Sequence, residues 1–115
     1  SAGMPPIFYH SKDTNQVEEI IIQRMPLGAM RNANYKILER EIKSGDTILL
    51  LTDGLPEQMN NNEEMFDYSR VKTHFSDIIG NAPNIIIEKL VEAGDNWMNG
   101  RLQDDDITFV VIRIK

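Results

Sequence analysis

With 115 residues, the chain has room for one modest hydrophobic core and no separate regulatory module, so a single domain over 1–115 is expected. A formal net charge of -6 without any basic stripe excludes a nucleic-acid binder that works by neutralising phosphates. The lack of cysteine removes disulfides, thiolate zinc sites and cysteine nucleophiles together and suits a cytoplasmic protein.

The apolar stretches at 20–22 and 48–51 are far too short to span a bilayer and no signal peptide opens the chain, so this segment is expected to make no membrane contact. Ser1-Ala2-Gly3 leads straight into Met4-Pro5-Pro6, which reads as a processed or excerpted piece or as a short scar ahead of it.

In chain order, the apolar run 7–9 follows two prolines, and Lys12-Asp13-Thr14-Asn15 is turn material before a second run over 17–22. The two runs read as a β-hairpin. Pro26-Leu27-Gly28 breaks the pattern, and the imperfect alternation over 34–42 predicts a strand near a sheet edge. Ser44-Gly45-Asp46 is a turn feeding 47–52, the most apolar strand and the expected centre of the sheet.

After Asp53-Gly54 and the polar loop at 60–62, apolar periodicity predicts a helix over 63–79, carried by Phe66, Val71, Phe75, Ile78 and Ile79 and stopped by Gly80-Asn81. A second helix starts near Pro83, carries Ile86, Ile87, Leu90, Val91, Ala93, Trp97 and Met98, and ends at Asn99-Gly100. The β-branched run 107–114 predicts one more interior strand. Four strands, two consecutive helices and a last strand define an α/β layered domain with a mainly antiparallel sheet. Neither G-x-G-x-x-G nor G-x-x-x-x-G-K occurs, so no dinucleotide or P-loop fold is indicated.

Carboxylates close one apolar run and open another: Asp53 follows 47–52, and Asp104-Asp105-Asp106 precedes 107–112. If the two strands are neighbours, Asp53 and Asp105 offer oxygen ligands to Mg²⁺ or Mn²⁺ near one sheet edge, with Gly54 letting the backbone turn sharply beyond the first. Two cations there would lower the pKa of a bridging water for in-line phosphoester hydrolysis. By spacing alone, ordinary turn chemistry is the better account of the same residues.

His10 and His74 lack a ligand-like partner pattern and read as surface or boundary residues. Trp97 reads as core or an apolar patch. Ser44, Ser69 and Ser76 have no adjacent base, so serine nucleophile chemistry is unsupported.

Taken in order, Ala2-Gly3-Met4-Pro5-Pro6, Pro26-Leu27-Gly28, Gly45-Asp46, Leu49-Leu50-Leu51-Thr52-Asp53-Gly54-Leu55, Glu57, Asn60, Phe66 and Asp104-Asp105-Asp106-Ile107-Thr108 resemble the C-terminal part of the metal-dependent serine/threonine protein phosphatases, in their bacterial SpoIIE/RsbU-like group. The resemblance implies a β-sandwich with flanking helices, of which this chain is a part. It also implies a binuclear Mn²⁺ or Mg²⁺ centre and hydrolysis of phosphoserine or phosphothreonine by a metal-activated water.

Asp53 then matches the metal aspartate of the Thr-Asp-Gly motif and Asp105 the late metal aspartate, the two catalytic positions. Asp106 takes the adjoining polar position beside the metal, and Asp104 stands outside the ligand set. A phosphorylated anti-sigma-antagonist-like protein is the implied substrate.

Met4, Pro56 and Asp67 depart from the group, Asp67 standing where glycine is common. The group's earlier metal-binding aspartate-glycine segment has no equivalent before the opening strand. The chain alone is therefore expected to bind Mn²⁺ weakly and to be nearly inactive, and a partial sandwich is expected to cover its open face by homodimerisation. A noncatalytic interaction module that kept the fold and lost the chemistry is the alternative.

Overall fold

Residues 5–21 and 39–115 are described by the computed structural model. The opening hairpin forms as its turn chemistry demands: β1 (Ile7–Ser11) pairs antiparallel with β2 (Gln16–Ile20), Ile7 opposite Ile20. Asn15 closes the turn at φ 53°, a left-handed conformation that asparagine tolerates, and its N–H donates to the Ser11 carbonyl at 2.8 Å.

β3 (Thr47–Leu51) lies antiparallel beside β1 with Leu49 opposite Phe8, and β4 (Phe109–Arg113) lies antiparallel beside β3 with Val111 opposite Leu49. The sheet order is β2-β1-β3-β4, which makes β3 the interior strand its composition predicts. Between β3 and β4 the chain builds α1 (Asp67–Ile78) and α2 (Pro83–Met98), two consecutive helices over one sheet face.

Their apolar stripes meet that face. Phe8, Leu49 and Leu51 of the sheet pack with Val71 and Phe75 of α1 and with Ile86 and Leu90 of α2. Leu55 and Phe66, from the connection between β3 and α1, complete the buried cluster. The α2 end is where Asn99-Gly100 puts it: Asn99 takes φ 46° and donates its N–H to the Asp95 carbonyl at 3.0 Å. Arg113 spans the layers, its guanidinium donating to the Ile79 and Asn81 carbonyls and to Thr47 Oγ1.

Two expectations are corrected, and a third falls largely outside the described residues. Of the strand expected over 34–42, residues 34–38 lie outside the described residues, and 39–42 are exposed and carry no strand pairing. The first helix starts four residues late because Asn60 holds 60–64 in a turn, its side-chain oxygen accepting the N–H groups of Asn62 and Glu64, both at 2.9 Å. The last strand is an edge strand among the described residues, although its hydrophobicity reads as interior. Phe109 and Val111 face the helices while Val110 and Ile112 face the opposite side, so apolar residues on both faces reflect the faces and carry no information about edge pairing.

Candidate metal-binding site

β3 ends at Leu51, and Thr52 ties the end of β3 to the approach to β4. Thr52 N–H donates to the Thr108 carbonyl at 3.1 Å, Thr108 N–H donates to Thr52 Oγ1 at 3.1 Å, and that hydroxyl donates to the Asp106 carbonyl at 3.4 Å. Asp53 therefore leaves the sheet beside the Asp105-Asp106 segment. A tight turn follows, closed by the Glu57 N–H on the Asp53 carbonyl at 3.0 Å.

Gly54 is needed here for close approach. A Cβ at this position would fall 2.1 Å from the Asp106 carbonyl oxygen and 2.9 Å from its carbon. Its φ is not in the left-handed region, so the expected conformational role of Gly54 is replaced by a steric one.

Asp53, Asp105 and Asp106 are all exposed. Asp105 uses one carboxylate oxygen to accept the Asp106 N–H at 2.7 Å, and its carbonyl accepts Gln103 Nε2 at 2.8 Å. None of the three carboxylates pairs with a cation among the described residues; Arg101 is engaged with Glu63 at 2.8 Å and reaches Asp104 at 3.8 Å.

These are oxygen donors open to solvent, and they fit a hard divalent cation in kind. In number they fall short, since no group of three His, Cys, Asp or Glu side chains among the described residues is placed to hold a metal ion. Negative potential extends to Tyr68: burial first, then the charges of Glu57 and Asp53, push its phenol above its ordinary pKa.

Asp104 is set apart from its neighbours. Its carboxylate accepts Gln58 Nε2 at 3.2 Å and the Met59 N–H at 3.3 Å, and its own N–H donates to Gln58 Oε1 at 3.0 Å. Gln58 is fully buried, its backbone carbonyl accepting the Trp97 indole N–H at 3.0 Å. The sequence gives no signal for Gln58, because the irregular segment 55–59 has no periodicity from which burial can be read.

Trp97 packs edge-on against Phe66 at 5.6 Å between ring centroids, with the Arg70 guanidinium 4.4 Å above its ring. The histidines stay away from the carboxylates. His10 is buried on β1, contrary to its surface or boundary reading, because its neighbours Phe8 and Thr47 share the helix-covered face; His74 is exposed and stacks on Phe66. A cavity of about 440 Å³ lies between α2 and the β4 approach, lined by residues including Leu55, Gly94, Ile107 and Phe109, and none of the three aspartates lines it.

An antiparallel sheet with two consecutive helices on one face, carrying aspartates on laced segments at one sheet end, defines the class: the fold is that of PP2C-type phosphatase domains. The SiaA-PP2C domain of Pseudomonas aeruginosa superposes with a TM-score of 0.80 at 22% identity, covering 96% of this chain and 43% of that one. The PP2C phosphatase domain of SpoIIE from Bacillus subtilis, solved with a fragment of its regulatory domain, gives a TM-score of 0.76 at 23% identity, covering 98% and 33%.

The family model described as stage II sporulation protein E (SpoIIE) matches residues 1–115, and the chain belongs to that family. It is 27% identical to phosphoserine phosphatase RsbU of Bacillus subtilis (strain 168) over 118 residues, spanning 34% of that protein. It is 25% identical to stage II sporulation protein E of the same organism over 115 residues, spanning 13% of it. The Ala2-Gly3-Met4 and Pro26-Leu27-Gly28 parts of the resemblance lie outside the described residues. No helix among the described residues is long and apolar enough to cross a membrane.

Proposed function

We propose that this chain supplies part of the metal-binding face of a serine/threonine protein phosphatase domain. The supporting observation is the lacing of the Asp53 and Asp105-Asp106 segments through Thr52, Gly54 and Thr108. Asp53 and Asp105 are the proposed Mn²⁺ or Mg²⁺ ligands, with Asp106 beside them. The bound cations would polarise the phosphoryl group and provide a nucleophile from water at neutral pH.

The chain's own residues hold the carboxylates against mutual repulsion. Thr52 and Gly54 fix the two segments at close range, and the solvent exposure of the three aspartates leaves a phosphoprotein access to them. The proposed substrate is phosphoserine or phosphothreonine on a cytoplasmic regulatory protein of the anti-sigma-antagonist kind; family membership and the similarity to a phosphoserine phosphatase lend support to the phosphoserine part.

In the full-length protein, D53A and D105A should each abolish Mn²⁺-dependent release of phosphate from a phosphoserine peptide while leaving the fold intact by circular dichroism. Retention of rate by either variant removes that residue from its role. That no three His, Cys, Asp or Glu side chains among the described residues are grouped to hold a metal ion favours a second reading, a noncatalytic interaction module. Mn²⁺ that fails to bind the full-length protein in calorimetry would select it.

A further inference from the structure

We infer that Gln58 is a positioning residue that sets Asp105 opposite Asp53 before any cation arrives, an inference that rests on the metal-site reading above. Buried amide groups need partners, and Gln58 places two of its three side-chain bonds on one residue. Oε1 accepts the Asp104 N–H at 3.0 Å, while Nε2 donates to the Asp104 carboxylate at 3.2 Å and to the Met59 carbonyl at 3.0 Å. The amide thus clasps both the backbone and the side chain of the residue immediately before Asp105. Gln58 is itself fixed, because it is fully buried and its carbonyl accepts the N–H groups of Phe66 at 2.9 Å and of Trp97 at 3.0 Å.

On the other side of Asp105, the Asp106 carbonyl lies against Gly54 and accepts the Thr52 hydroxyl. Asp105 is therefore held from both directions, and both anchors belong to the segment that carries Asp53. Three consecutive carboxylates on an unanchored loop would spread apart. The clasp occupies Asp104 and leaves Asp105 exposed between two anchored neighbours, with one carboxylate oxygen accepting the Asp106 N–H. Polar partners that orient ligands in this way typically govern about 10–100-fold in metal affinity.

The test is Mn²⁺ titration by calorimetry on the full-length protein, with the thermal midpoint of each metal-free variant measured in parallel. Q58M keeps the side-chain volume and deletes the clasp, and should raise the Mn²⁺ dissociation constant about 10-fold while turnover at saturating Mn²⁺ stays close to the parent value. D104A should do the same, and the double variant should be no worse than the weaker-binding single one, as for two ends of one interaction. D104N, which keeps an acceptor oxygen and the backbone N–H, should restore most of the affinity.

An unchanged Mn²⁺ constant in Q58M, with or without a lowered thermal midpoint, overturns the inference, as does full additivity in the double variant. D53N is the control. If it also leaves Mn²⁺ binding unchanged, the metal-site reading itself has failed; if D53N abolishes binding and Q58M does nothing, the role of Gln58 alone has failed.

Discussion

Gly54 and Asp67 sit at the two ends of the connection that follows Asp53 and leads into α1, and each is explained by a single geometric fact. At Gly54 the Asp106 carbonyl occupies the space a side chain would need. G54A must push the Asp53 and Asp105 segments apart, and is expected to destabilise the chain by about 1–3 kcal/mol, the usual cost of overpacking, read from the urea midpoint. Asp67 begins α1 at φ 72°, in the region where glycine is free and other residues are strained, and its side chain accepts the Tyr68 N–H at 2.7 Å. That is the position where the resemblance has glycine, so the departure is accommodated by the tolerance of aspartate for left-handed backbone and by its local hydrogen bond. D67A keeps neither advantage. D67G should be more stable than D67A by about 1 kcal/mol in denaturant unfolding, and equal midpoints would show that the strain is relieved elsewhere.

Among the elements, the turn before β3 does more than reverse the chain. The Asp46 carboxylate accepts the Tyr9 hydroxyl from β1 and the N–H groups of Lys12 and Lys43, each at 2.9 Å. The Tyr9 bond above all, and then the Lys12 N–H, hold the Asp46 carboxyl below its ordinary 3.8 against the opposing effect of burial. Tyr9 is pushed up to about 12, by burial first and then by its bond to Asp46. The depressed Asp46 contributes stability that is complete above about pH 3.8 and is lost as pH falls through its lower folded value. The raised Tyr9 contributes stability that is complete below its ordinary 10 and is lost as pH climbs toward 12. Y9F should shift the acid-unfolding midpoint upward, flatten the alkaline limb and cost about 1–3 kcal/mol at neutral pH; an unchanged acid midpoint would remove Tyr9 from the role.

The turn itself was legible in Ser44-Gly45-Asp46, as were the hairpin, both helices and the apolar strands, because periodicity and turn residues are local signals. The bonds of Asp46 to Tyr9 and of Gln58 to Asp104 were not, since those partners lie 37 and 46 residues away in the chain. For the site, residue order and resemblance nominated Asp53, Asp105 and Asp106 from the sequence. The contacts that bring their segments together had no local signature.

At the scale of the whole molecule, the helices cover one face of the sheet and leave a row of apolar side chains on the other. Leu50 of β3 and Val110 and Ile112 of β4 are exposed there, Val110 by 45% and Ile112 by 41%, and register sets Leu50 directly opposite Val110. Contiguous apolar surface of this kind favours burial against another surface. The 115-residue chain by itself is therefore expected to self-associate through this face, with a sedimentation coefficient that rises with concentration. V110K/I112K should hold it monomeric, because lysine heads on this face would have to be desolvated or forced into like-charge contact across the interface. The substitutions point away from Phe109 and Val111, which face the helices, so the fold should survive with an unchanged far-ultraviolet spectrum. A parent chain that sediments as a monomer across the concentration range would show that the row is too small to drive association. A lysine variant that still associates would move the contact to another face, such as the α2 side around exposed Val91.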